Sequence, residues 1–273
     1  MTPSGPAGKP IAVFDSGVGG LTVVRALEEL LPQEHLIYFG DTARAPYGPR
    51  SVEEVRRFAF QIMDAMAERD VKMLVIACNA MTAAAYTDAL ERYDLPVIGV
   101  IEPAVRTASR ATHNGRVGVL ATAVTIGSGA YQTALSGVGV PQLEVFCQAC
   151  PGFVERVEAG DTFSEELIEL AEGYLAPLLS AGVDTLILGC THYPLLKGVL
   201  HWVTKGDVEL ISSAEAVARN VYSRLVAENL LRRVAELGTR RFAVSGDPER
   251  FRAVGSRFLP ELNEVEAVPW PTK

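Results

Sequence analysis

Two hydrophobic rhythms alternate along the chain. Short apolar, often β-branched runs occur at residues 11–14 (IAVF), 36–39 (LIYF), 73–77 (MLVIA), 97–100 (VIGV), 117–121 (VGVLA), 143–146 (LEVF), 185–189 (TLILG), 208–211 (VELI) and 241–245 (RFAVS). Most are continuous rather than alternating, which is how a strand buried on both faces reads. Between most of them lie longer stretches of helical pattern, such as 51–70 and 164–182. The alternation predicts an α/β fold with parallel sheets covered by helices.

The pattern also repeats loosely. PIAVFDSGVGGLTVVRAL (10–27) and RVGVLATAVTIGSGAYQTAL (116–135) both read as strand, small-residue turn, helix. Later in each half a strand ends at a cysteine, Cys78 in the first and Cys190 in the second. Two similar α/β domains are expected. The first covers 1–100 and resumes over 210–273, because the tail holds further strand–helix units. The second covers 101–209.

In parallel sheets the ligand crevice lies at the carboxyl ends of the strands. Four clusters sit there: Asp15-Ser16, the DTARAPYG loop (41–48), Cys78-Asn79 and Cys190-Thr191-His192. A thiol on each side of a small chiral ligand is a two-base device. One group removes a proton from one face of a carbon and the other returns one to the opposite face. A free thiol has a pKa near 8.5, within tuning distance of neutrality, and a helix N-terminus after each cysteine would favour the thiolate. Asp15 and His192 are placed to tune the two thiols. Backbone N–H groups, with Ser16, Asn79 and Thr191, would hold a carboxylate. DSGVGG lets a ligand approach the backbone closely, but it lacks the Lys-Ser/Thr of a phosphate loop. Each feature has a plainer reading. A strand-end cysteine is often a small buried apolar residue, Asp15 or Asn79 can cap a helix, His192 can brace a turn, and Tyr47-Gly48 is ordinary turn chemistry. The pairing of the clusters carries the functional reading.

Composition narrows the classes. The 273 residues are 48% hydrophobic and 21% charged, with net charge −8, as for a globular protein long enough to bury substantial cores. No basic stripe points to nucleic acid. No run nears the ~18 apolar residues of a membrane span. The lead-in MTPSGPAGKP lacks the apolar core of a signal peptide, so a cytoplasmic location is expected. The four cysteines are Cys78, Cys147, Cys150 and Cys190, too sparse for a disulfide framework. Cys147 and Cys150 form a C-x-x-C without the second ligand pair that zinc wants. They read as core or loop cysteines, and no metal site is expected.

Taken in order, FDSGVGGLTV, APYGPRS, ACNA, GVIEPA, GCTHYPLL and SGDPERF resemble the glutamate racemase family over about residues 10 to 260. The resemblance implies two α/β domains with pseudo-twofold symmetry, an active site in the cleft between them, and cofactor-independent interconversion of L- and D-glutamate. It further implies supply of D-glutamate to peptidoglycan, and a homodimer. Cys78 would serve the D-enantiomer's proton and Cys190 the L-enantiomer's, assisted by Asp15 and His192. Substrate contacts would come from Asp15, Ser16, Pro46, Tyr47, Gly48, Asn79, Ala80, Thr122, Glu158, Thr191 and His192. The chain departs from the family pattern in three places: Ala80 stands where Thr is usual, CPGFVERVE replaces CPLFVPLVE around Glu158, and Ser212 replaces Asp. Aspartate or hydantoin racemisation is the alternative within the superfamily. Outside it stand a non-catalytic amino-acid-binding protein and a thiol hydrolase using Cys190 and His192. No lysine lies in the clusters except Lys197, beyond the proline, which argues against a pyridoxal enzyme.

Overall fold

The computed structural model describes residues 5–140, 143–262 and 264–268. Its strands are β1 (Ile11–Asp15), β2 (Leu36–Gly40), β3 (Met73–Ile76), β4 (Val97–Gly99), β5 (Arg116–Ala121), β6 (Glu144–Ala149), β7 (Thr185–Gly189), β8 (Glu209–Ser212), β9 (Arg240–Val244) and β10 (Val265–Ala267). The nine expected runs all form strands. The tenth, β10, is a short, half-exposed VEA segment with no apolar run to announce it.

All pairings are parallel. One sheet has the order β10-β9-β2-β1-β3-β4 and the other β6-β5-β7-β8. The order β2-β1-β3-β4 thus recurs as β6-β5-β7-β8, and β9 and β10 extend the first sheet beyond β2. Strands β1, β2, β3 and β7 are buried throughout, as their unbroken apolar runs require. Strand β8 pairs with β7 in the second sheet, so it straddles the expected boundary at 209/210. The chain returns to the first half only with the helix Ser213–Ala227.

Local chemistry sets the helix starts. Ser51 accepts from Glu54 N–H in a capping box at the head of Val52–Ala67. Ser164 accepts from Leu167 N–H at the head of Glu165–Ser180. The helices Ile101–Ala111 and Ser213–Ala227 pack together between the halves. The former lies against β7 and β8, the latter against β4 and the helix Leu21–Leu30. As a result one apolar core runs from Ile11 and Val75 through Ile101, Val105, Val217 and Leu225 to Val119 and Ile187. A second core, around Phe14, Ile62, Met63, Ile76 and Met81, fills the other face of the first sheet. Among the described residues no helix is long and apolar enough to cross a membrane.

Candidate active site

The carboxyl ends of β1, β3, β5, β6 and β7 converge on one cleft of about 190 Å³, below the ~300–1,000 Å³ of a drug-sized pocket and suited to a small ligand. Ser16, Pro46, Tyr47, Gly48, Cys78, Asn79, Ala80, Thr122, Glu158, Cys190, Thr191 and His192 all line it. Cys78 follows β3 and Cys190 follows β7, the equivalent strands of the two sheets. The halves meet closely around it. Thr22 Oγ1 donates to the Thr191 carbonyl over 3.2 Å, and Val124 N–H donates to the Gly48 carbonyl over 3.2 Å.

Both thiols are buried. The Cys78 Sγ–H reaches Ser16 Oγ at 3.7 Å. Its pKa is pushed up to about 12, first by burial and then by the Asp15 carboxylate, against the opposing pull of the Met81 N–H and Ser16. Cys190 is also raised, chiefly by burial, with the His192 backbone N–H opposing. The expectation that helix N-termini would favour both thiolates is corrected here. Cys78 does sit at the N-cap of Asn79–Arg92, but desolvation outweighs the N–H groups. After Cys190 comes only the 3₁₀ turn Tyr193–Leu196, containing Pro194, before the helix Lys197–Val203.

A relay lies behind Cys190. Its Sγ is 3.9 Å from His192 Nδ1, and His192 Nε2 is 2.9 Å from Glu158 Oε1. The hydrogen bond to His192 holds the Glu158 carboxyl below its ordinary value, with burial opposing. Phe258 packs edge-on against the His192 ring at 5.3 Å, and Arg257 donates to the Glu158 carbonyl. Tail residues of the chain thereby brace a site on the second half.

Asp15 stands apart from the other expected residues. It is fully buried and does not line the cleft. Its carboxylate accepts from Gly17 N–H at 2.9 Å and from Thr191 Oγ1 at 3.3 Å. Burial raises its pKa, with His192 and these hydrogen bonds opposing. Tyr47 lines the cleft, but its hydroxyl is bonded to Asp41, so only its ring and backbone face a ligand. Pro46 follows a cis peptide bond. Thr122 Oγ1 pairs with Thr125 Oγ1 at 3.1 Å. Ala80 presents no hydroxyl, and Thr82 does not replace it: its Oγ1 bonds the Ile76 carbonyl and the Val100 N–H. Asn79 Oδ1 accepts from Tyr131, while its buried Nδ2 has no partner among the described residues.

The cleft also includes Cys150, Pro151, Gly152, Val154 and Glu155, none of which was expected there. Cys150-Pro151-Gly152 follows β6, so the rule that favours strand carboxyl ends would have found them. Cys147 and Cys150 are both free thiols.

The model of the Asp/Glu/Hydantoin racemase family matches residues 18–221. A glutamate racemase of Acidothermus cellulolyticus is 53% identical over 258 residues, covering 94% of this chain and 97% of that protein. Among solved structures, a glutamate racemase from Bacillus anthracis has a TM-score of 0.92 at 39% identity, covering 97% of this chain and 99% of that one. One from Francisella tularensis, in complex with D-glutamate, has a TM-score of 0.91 at 36% identity, covering 98% of this chain and 100% of that one.

Proposed function

The chain belongs to the Asp/Glu/Hydantoin racemase family, and from that premise we propose that it interconverts L- and D-glutamate by proton transfer between Cys78 and Cys190. The observation that carries this reading is the pair of thiols at equivalent strand ends on one small cleft. A single thiol beside His192 would support a hydrolase equally well; the second is what inversion at carbon needs.

In the L-to-D direction, Cys190 passes its proton to His192 and, as thiolate, takes the α-proton of L-glutamate. The carbanion then takes the proton of Cys78 on its opposite face. D-glutamate leaves with Cys190 a thiol, Cys78 a thiolate and His192 protonated. The proton on His192 passes to Cys78 through solvent, which restores the starting enzyme, and in the reverse direction Cys78 is the base and Cys190 the acid. The raised pKa values of the free protein make each thiol a poor base until substrate arrives. The substrate ammonium supplies the positive charge that lowers them. Backbone N–H groups and Asn79 hold the carboxylate that stabilises the carbanion. Ser16, Thr122 and Thr191 add polar contacts, and Glu158 steadies the His192 ring. The reading involves no cofactor. It also takes the protein as a cytoplasmic homodimer whose D-glutamate enters peptidoglycan, and takes 1–100 with 210–273 and 101–209 as its two units.

The test is α-proton exchange in deuterated water with no cofactor added, run with both enantiomers of glutamate and of aspartate. Glutamate should gain deuterium from either enantiomer faster than aspartate does. Cys78→Ser and Cys190→Ser should each abolish racemisation. An undiminished rate in either single variant overturns the two-thiol mechanism, and faster turnover of aspartate overturns the substrate.

A further inference from the structure

We infer that Tyr131 is a positioning residue that orients the Asn79 amide, so that its N–H₂ rather than its carbonyl faces the cleft. Tyr131 lies on the helix Ala130–Gly137 of the second half and is fully buried. Its hydroxyl donates to Asn79 Oδ1 at 2.7 Å. Asn79 opens the helix Asn79–Arg92 of the first half, is 3% exposed and lines the cleft. With Oδ1 committed to Tyr131, Nδ2 is left buried and unpartnered among the described residues. Such a donor is costly unless a ligand satisfies it.

A carboxamide has two chemically opposite ends of nearly the same shape. Left to rotate, Asn79 would offer an anion its carbonyl oxygen as readily as its amide protons. A donor fixed on Oδ1 removes that choice. Burial, with Cys190 and Cys147 nearby, raises the Tyr131 pKa, so its hydroxyl keeps the proton it donates. The ring is wedged in place: a Cβ at Gly189 would lie 3.1 Å from Tyr131 Cε2, so the glycine before Cys190 makes room for it. Since Tyr131 and Asn79 belong to different halves, the carboxylate site is oriented only when the halves are together.

The substrate in this inference rests on the racemase reading above, and the experiment separates the two. Tyr131→Phe keeps the ring and removes the hydroxyl. KM for L- and D-glutamate should rise on the order of tenfold, with kcat changed by less than about threefold. In an Asn79→Ala background the same substitution should add nothing, because the amide it orients is gone. An unchanged KM in Tyr131→Phe, or a full additional effect in the Asn79→Ala background, overturns the inference. If wild type binds D-glutamate by calorimetry but does not racemise it, the racemase reading falls, and the same cycle run on Kd still decides the role of Tyr131. Should Tyr131→Phe fail to fold, Asn79→Asp serves. It keeps the acceptor for Tyr131 but turns the cleft-facing donor into an anion, so KM should rise at least a hundredfold; an unchanged KM means the contact is structural only.

Discussion

Gly19 is the most demanding point in the seam between the halves. In Gly19→Ala the new Cβ would lie 2.5 Å from His192 Nδ1 and 2.7 Å from His192 Cε1, and would also collide with Thr191 Oγ1. Ordinary contact begins near 3.4 Å, so the ring must retreat by 3.4 − 2.5, or about 0.9 Å. Two consequences can be sized. Overpacking a closed interface costs roughly 1–3 kcal/mol, and for a chain of this size each kcal/mol lowers the thermal midpoint by roughly 2–4 °C. A displacement of about 1 Å in a group serving a proton transfer costs on the order of a hundredfold in rate. The assay is the loss of circular dichroism as L-glutamate racemises, alongside scanning calorimetry. Gly19→Ala should lower kcat about a hundredfold and the midpoint by a few degrees. Wild-type kcat in a folded Gly19→Ala protein would refute the argument that His192 must sit where it does. Loss of midpoint alone would reduce Gly19 to a packing role.

Two further outcomes follow from the electrostatics. Glu158→Gln keeps an acceptor for His192 Nε2 but removes the charge. Because the Glu158 side chain is 39% exposed, solvent screening limits the loss to about 1 kcal/mol, or roughly fivefold in kcat; a hundredfold loss in steady-state rate would mean that Glu158 itself touches substrate. The second concerns alkaline stability. The Cys78 thiol rises from its ordinary 9.0 to about 12 on folding, so the unfolded chain ionises first. The stabilising term is therefore whole below pH 9 and is lost as pH rises from 9 towards 12, by about 1.4 kcal/mol per pH unit for this one group. Thermal midpoints measured from pH 7 to pH 11 should fall above pH 9 and fall less in Cys78→Ala; an identical slope in the two proteins would contradict the shift.

The strands were legible because a parallel strand covered on both faces leaves a continuous apolar run, and β1, β3 and β7 are such runs. β6 is half exposed along its length. Its visible run stops at Phe146 while the strand continues through Cys147, Gln148 and Ala149, so the strand-end rule points at Cys150-Pro151-Gly152 only once the true end of the strand is known. Asp15 was correctly placed at a strand end. Strand-end logic, however, cannot show that the following turn brings Gly17 N–H back onto the carboxylate, or that Thr191 covers it. Tyr131 and Asn79 are 52 positions apart, and neither carries a local pattern that names the other. What sequence leaves unwritten in this site is mostly contact between the two halves.

The core that runs beneath both sheets makes two structural units into one thermodynamic unit. Helices Ile101–Ala111 and Ser213–Ala227 bury apolar side chains that neither sheet could cover alone, so separating the halves would expose them together. Units that share a core in this way melt cooperatively. Cys190 belongs to that shared core and Cys78 to the core on the other face of the first sheet, so the two thiols face each other from a frame expected to melt in a single calorimetric transition.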